Sequence, residues 1–203
     1  MTKPLARKRL EPRKRPAQSR SAETVNAVLE AAARILERDG LECYTTNAVA
    51  ERAGVSIGSF YQYFPNKDAL TVALIERETA VLLADIALIH SMESYETKVE
   101  HLIRSAIAHQ MRRPKLARLL DFEESRLPIR SHLQRVADVF HDALLQIFSH
   151  SDGHITRNAE VAALDVFAIV KGMVDAAGER GETDPLELKR RVKRAVFGYL
   201  GAR

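Results

Sequence analysis

Residues 45–67 read TTNAVAERAGVSIGSFYQYFPNK, and this stretch decides the fold. Thr46 can cap a helix, because its hydroxyl accepts from a backbone N–H that has no intrahelical partner. The spacing predicts a helix from Asn47 to about Ala53. Gly54 then supplies the positive φ that a tight turn needs, and a second helix opens near Ser56. Ala50 is small and stands one turn before Gly54, so the second helix can cross close by. Val49, Ala53, Val55 and Phe60 can fill the wedge between the two. Ser56, Gly58, Ser59 and Gln62 stay on the outer face of the second helix, where small and polar residues let a backbone approach base edges in a major groove. Tyr61, Tyr63 and Lys67 group donors around the end of that helix, where phosphates would lie. Asn66 can cap the next helix, and its free N-terminal amides would suit a phosphate as well. Two short helices about a glycine also occur in all-α proteins that never touch DNA. The donors that follow the turn favour a reader.

The run GVSIGSFYQYFPNKDAL, with TTNAVAERA before it, resembles the N-terminal domain of the tetracycline-repressor (TetR) family of bacterial transcription regulators. The resemblance covers residues 21–81, and its specific core is G-V-S-x-G-S-x-Y-x-Y-F-x-x-K. It implies a three-helix DNA-binding domain, a helical effector-binding and dimerisation domain behind it, and repression relieved by a small ligand. In that pattern Thr46 contacts phosphate and Asn47 reaches a base or a phosphate. The recognition-helix readers fall on Ser56, Ile57, Gly58, Ser59, Tyr61 and Gln62. Tyr63 and Lys67 fall on phosphate contacts. Two positions depart from the family's habit. Ser59 stands where threonine is usual, and Ile57 stands where a lysine, arginine or proline is common, which removes one possible contact.

A chain of 203 residues with 46% hydrophobic content can bury one compact core or two small ones. No run of eighteen apolar residues exists, so no transmembrane helix is expected. The basic N-terminus has no apolar stretch after it and does not read as a secretory signal. A single cysteine, Cys43, fits a reducing, cytoplasmic setting and reads as a small buried side chain between the first two helices.

The net charge of +4 hides an uneven distribution. Residues 1–20 hold eight basic side chains against Glu11, so the rest of the chain is net acidic. Within residues 21–68 acids outnumber bases seven to four. Charge alone therefore does not argue that the helical domain binds DNA. The tail, with three prolines and little to bury, reads as a disordered arm. Arg13, Lys14, Arg15 and Arg20 would lie along the DNA backbone or in a minor groove. A merely solubilising tail is the alternative.

Around this centre the periodicity is helical throughout. Ser21–Asp39 carries Val25, Val28, Leu29, Ala32, Ile35 and Leu36 on one stripe and stops at Gly40. Lys67 to about His90 forms one long helix that leaves the DNA domain. Further helices span about 96–111, 129–150, 158–180 and 185–200, with a short one between the first two that carries Leu116, Leu119, Leu120 and Phe122 and is closed by Pro128. The one at 158–180 is apolar on most of its circumference, which suggests a subunit interface as well as a core. Asp184, Pro185 and Glu187 form a strong start for the last helix. The expected architecture is all-α with about nine helices: a basic arm at 1–20, a helix-turn-helix domain at 21–81, and an effector-binding and dimerisation domain at 82–203. The resemblance implies a homodimer through the last two helices, reading a palindromic operator in double-stranded DNA.

Catalytic and metal constellations are weak. No P-loop, GxGxxG, GxSxG or CxxC occurs. His150, Asp152 and His154 read as a solvated loop in preference to a metal grip. Asp121, Glu123, Glu124 and Arg126 read as a solvated helix face with local ion pairs. His101, His109, His132 and His141 need no role beyond packing. No cofactor and no metal is expected, and no nucleophile, base and orienter combine into an enzyme. An effector pocket would be walled by Leu102, Ile103, Ile107, Leu119, Leu120, Phe122, Phe140, Leu144, Phe167 and Val170, each of which is equally explained as core. Such a lining suits a hydrophobic ligand. The other class of protein to weigh is a helical ligand-binding or interaction protein that keeps the helix-turn-helix fold without operator function. The intact donors Tyr61, Tyr63 and Lys67 count against it.

Overall fold

The computed structural model describes residues 19–149 and 158–201, and these contain nine α-helices and no strand. They are α1 (Ser19–Asp39), α2 (Thr46–Arg52), α3 (Ile57–Tyr63), α4 (Lys67–Ala87), α5 (Tyr95–Arg112), α6 (Pro114–Arg126), α7 (Arg130–Ser149), α8 (Ala159–Glu179) and α9 (Pro185–Gly201). A 3₁₀ turn, Leu88–Ser91, follows α4, so the long helix expected to reach His90 tightens after Ala87. Arg13, Lys14 and Arg15 of the expected arm, and the His150, Asp152 and His154 loop, lie outside the described residues. Arg20 falls within α1, which opens at Ser19 and not at Ser21.

The chain folds as two compact units. The first runs up to Arg77 and takes in a second segment, Leu119–Pro128. The other comprises Glu78–Arg118 and the residues from Ile129 onward. The expected partition at 81/82 had placed the whole of α6 in the C-terminal domain.

In the first unit α1 buries Val28, Leu29, Ala32, Ile35 and Leu36. Gly40 ends it with φ 76°, and its N–H returns to the carbonyls of Ile35 and Leu36. Val49, Ala50, Phe60, Phe64, Leu70 and Leu74 complete the core. Cys43 does not join it: the thiol is exposed, because the turn after Gly40 directs Tyr44 inward in its place.

In the second unit α8 packs against α5, α7 and α9, and α5 also lies against α9. Their shared core includes Leu102, Ile103, Ile107, Phe140, Leu144, Val166, Val170, Val192 and Val196. Asp184 caps α9 by accepting from the N–H groups of Leu186 and Glu187, both at 3.0 Å. At Gly178 a Cβ would meet the Gln110 amide nitrogen at 2.2 Å, so glycine lets α5 bury that side chain against α8.

Candidate nucleic-acid interface

The caps set the geometry of the reader. Thr45, and not Thr46, caps α2: its Oγ1 accepts from the Ala48 N–H at 3.2 Å. That shift of one residue frees the Thr46 hydroxyl, which lies 3.2 Å from the Tyr61 hydroxyl of α3. Gly54 turns the chain with φ 69°, and the Val55 N–H closes onto the Ala50 carbonyl at 3.0 Å. Ser56 caps α3 by accepting from the Ser59 N–H at 3.0 Å, and the two serine hydroxyls are 2.9 Å apart.

Buried aromatics hold α3 from beneath. Phe60 and Phe64 are fully buried, with ring centroids 5.7 Å apart. Tyr61 stands edge-on to Phe60 at 5.4 Å and remains 40% exposed. Ser56, Ile57, Gly58 and Gln62 are exposed, while Ser59 and Tyr63 are half-buried. Asn47 is exposed and Thr46 half-buried on the preceding helix. The sequence-derived readers of α2 and α3 are thus exposed or half-buried, and the Thr46–Tyr61 contact joins the two helices. A Cβ on Gly58 would find only the Ser56 Oγ, at 3.8 Å. Nothing inside the protein requires a glycine there.

The end of α3 leads into a fixed donor. Asn66 caps α4, its Oδ1 accepting from the Ala69 N–H at 2.9 Å. The Thr71 hydroxyl donates to the Lys67 carbonyl at 2.9 Å, so its oxygen accepts from the Tyr44 hydroxyl at 3.1 Å. Burial pushes the Tyr44 phenol far above its usual range, which keeps it a neutral donor. The Lys67 ammonium lies 5.4 Å from the centre of the Tyr44 ring, a cation–π arrangement that anchors its stem.

The ten expected pocket residues divide between the units. Leu119, Leu120 and Phe122 belong to the first, and Phe122 is 59% exposed, so it walls no enclosed site. The i, i+3 pattern of α6 had suggested an inward phenylalanine, but the buried positions of this turn are Leu120 and Glu123. The other seven lie in the second unit, Phe167 partly buried and the rest in its core. That unit also carries an open cleft of about 530 Å³ lined by Met92, Glu93, Ser94, Thr97, Glu100, His101, Arg104 and Lys189, none of them in the expected wall. Two imidazole nitrogens, His109 Nδ1 and His141 Nε2, are buried without a hydrogen-bond partner among the described residues. Sequence reasoning gave these histidines no role, since nothing in helical spacing marks an imidazole that lacks a partner. Among the described residues no cluster of acids, histidines or cysteines could hold a metal. No described helix is long and apolar enough to cross a membrane.

A capped two-helix unit that presents small, polar and phenolic side chains outward defines a helix-turn-helix DNA-binding protein. Residues 28–74 match the family described as "Bacterial regulatory proteins, tetR family", and residues 96–200 match "Tetracyclin repressor-like, C-terminal domain". The chain belongs to the TetR family of DNA-binding transcriptional regulators.

Among its relatives, the HTH-type transcriptional repressor AcnR of Corynebacterium diphtheriae is 26% identical over 168 residues, 79% of this chain and 84% of that protein. The nucleoid occlusion factor SlmA of Glaesserella parasuis is 30% identical over 82 residues, and the match spans only 41% of SlmA. The fold also resembles a solved structure of the regulator FadR from Bacillus subtilis in complex with stearoyl-CoA, at 17% identity and a TM-score of 0.70, covering 88% of this chain and 99% of that one.

Proposed function

We propose that the protein is a homodimeric repressor that binds a two-fold symmetric DNA site through α3 and leaves it when a small apolar effector binds. The observation that carries the reading is the exposed α3, capped by Ser56, with Tyr61, Tyr63 and Lys67 towards its C-terminal end. Ser59, Gln62 and Tyr61 are assigned to base edges, and exposed Ile57 suits a thymine methyl. Thr46, Asn47, Tyr63 and Lys67 are assigned to the sugar-phosphate backbone. The proposed organisation keeps a basic arm at 1–20 for sequence-independent phosphate affinity, a reader at 21–81 to which residues 119–128 are added, and a regulatory body in the rest of 82–203.

Dimerisation is assigned to α8 and α9. Val161 and Leu164 are 47% and 51% exposed, and exposed Ala168 and Gly172 continue the same face of α8. To meet successive major grooves, the two copies of α3 in such a dimer would have to lie about 34 Å apart, one DNA turn. We assign no catalytic role, and we place the protein in the cytoplasm with its DNA.

The effector is assigned to the second unit, where Leu102, Ile103, Ile107, Phe140, Leu144 and Val170 share one buried core and Phe167 packs against it. His109 and His141 offer polar handles to a bound molecule. The stearoyl-CoA seen in the Bacillus subtilis regulator favours a ligand with a long apolar chain. Repression is favoured over nucleoid occlusion because the AcnR match spans most of both chains, while the SlmA match is confined to part of each. Coupling between the sites would be about 1–3 kcal/mol, a five- to roughly hundredfold loss of DNA affinity on saturation. The test is titration of stearoyl-CoA, and of coenzyme A alone, into the protein–DNA complex. Release by the acyl thioester and not by coenzyme A supports the assignment. Release only by polar, water-soluble compounds contradicts it.

A further inference from the structure

We infer that Arg126, in the last turn of α6, is a positioning residue for DNA binding: it clamps the buried carboxylate of Asp68 and so fixes the first turn of α4, where Lys67 sits. The inference rests on the assignment of Lys67 to a DNA phosphate.

The geometry is specific. The Arg126 Nη2 donates to Asp68 Oδ1 at 2.9 Å, and its Nε donates to Glu123 Oε2 at 3.1 Å. The Asp68 and Glu123 side chains are only 6% and 5% exposed, while that of Arg126 is 43% exposed. Glu123 had read as part of a solvated face; here it is buried. Two carboxylates brought into one poorly solvated place repel each other and lose hydration. A guanidinium can answer both, since its planar fork presents several donors at once. The hydrogen bonds that it donates to Glu123 and then to Asp68 hold that guanidinium well above the ordinary arginine range. An acid in the first turn of α4 would be favoured by the helix dipole alone. The dipole explains neither the burial of Asp68 nor the presence of Glu123 beside it.

Asp68 is adjacent to Lys67, and each of the two residues has its own anchor. Tyr44 and Thr71 fix the Lys67 carbonyl and ammonium stem. Arg126 fixes the next residue along. Functional contacts need placement to within about 0.5 Å, and a clamp on the neighbouring residue provides it. A segment 58 positions away in sequence thus completes the reading unit. The charged and titratable groups around the clamp are Asp68, Glu123, Tyr44 and, above the Tyr44 ring, Lys67. The described part of this unit contains no histidine, so no imidazole titrates beside them.

The experiment uses the full chain and the duplex that wild-type protein recovers from sheared genomic DNA. Affinity is measured at about pH 6 and about pH 8, bracketing the range in which a buried carboxylate can regain a proton. The variants are Lys67→Ala, Arg126→Met, Arg126→Lys, the Lys67→Ala/Arg126→Met pair, and the neutral triple Arg126→Met/Asp68→Asn/Glu123→Gln. Each is held well below its melting temperature. Arg126→Met should weaken binding about tenfold at the higher pH and less at the lower, because buried carboxylates that lose their guanidinium partner take up a proton more readily as pH falls. Arg126→Lys should fall between. The neutral triple should recover most of the affinity and lose the pH dependence. Because Arg126 acts through Lys67, Arg126→Met should add little in the Lys67→Ala background. Additive effects, or wild-type affinity with only a lowered melting temperature, would make Arg126 a plain brace and overturn the proposal. Should Arg126→Met not fold, Arg126→Lys decides by the same two criteria. Unchanged binding by Lys67→Ala would overturn the Lys67 assignment itself, and this inference with it.

Discussion

The Thr46 hydroxyl of α2 and the Tyr61 hydroxyl of α3 lie 3.2 Å apart, joining the two helices on their outward side. Tyr61 is thereby held upright beside Phe60, and the pair forms one donor-acceptor unit facing the proposed DNA. Thr46→Val and Tyr61→Phe should each weaken operator binding by about 1 kcal/mol, and the double variant should lose less than the sum. A double-mutant cycle in DNA affinity measures this. Strict additivity would mean that the two hydroxyls act separately.

Gly58 is exposed, helical and uncrowded, so its missing side chain lowers stability without an internal reason. Gly58→Ala should stabilise the fold by about 0.5–1 kcal/mol in thermal unfolding. The same change should weaken DNA binding, since a methyl group would stand where a base edge or backbone approaches. Gain of stability with unchanged affinity would place α3 further from DNA than proposed.

Lys67 and Tyr63 should separate by salt dependence. Lys67→Ala removes one cation, so the slope of log affinity against log salt should fall by about 0.9. Tyr63→Phe removes a neutral donor and should lower affinity at every salt concentration without changing the slope. Equal slopes for wild type and Lys67→Ala would remove Lys67 from the phosphate contacts.

His109 gives the second unit a pH dependence of known sign. Burial, and then the nearby Arg112, lower its imidazole below the ordinary value of 6.5. The unfolded chain therefore binds the proton more readily, and the contribution to stability is fully present above about pH 6.5 and is lost as pH falls through the lowered value. His109→Gln should flatten the melting temperature between about pH 7 and about pH 5. An equally steep loss in the variant would assign that slope to other groups.

Local chemistry made the reader legible. Gly54, the serine cap at Ser56 and the Phe60–Tyr61–Tyr63 run each act within a few residues, so their meaning survives in the sequence. The two adjacent threonines show the limit. Either Thr45 or Thr46 can cap a helix, and choosing Thr46 shifted α2 by one residue and hid the contact with Tyr61. Cys43 was misplaced for a similar reason, since Tyr44 beside it takes the inward position. Glu123 and Arg126 were opaque in another way. At i, i+3 spacing they look like a surface ion pair, and only the fold brings Asp68 to them. The same long-range placement left Phe122 exposed.

The central claim is that α3 reads a specific DNA sequence as part of a dimer. The most direct measurement is recovery of sheared genomic DNA by the purified protein near physiological salt, followed by sequencing. The account predicts enrichment of a short site with two-fold symmetry, its half-sites about one helical turn apart. Even recovery across the genome with steep salt sensitivity would contradict it, and would leave the basic residues at 1–20 as the whole of the DNA-binding activity.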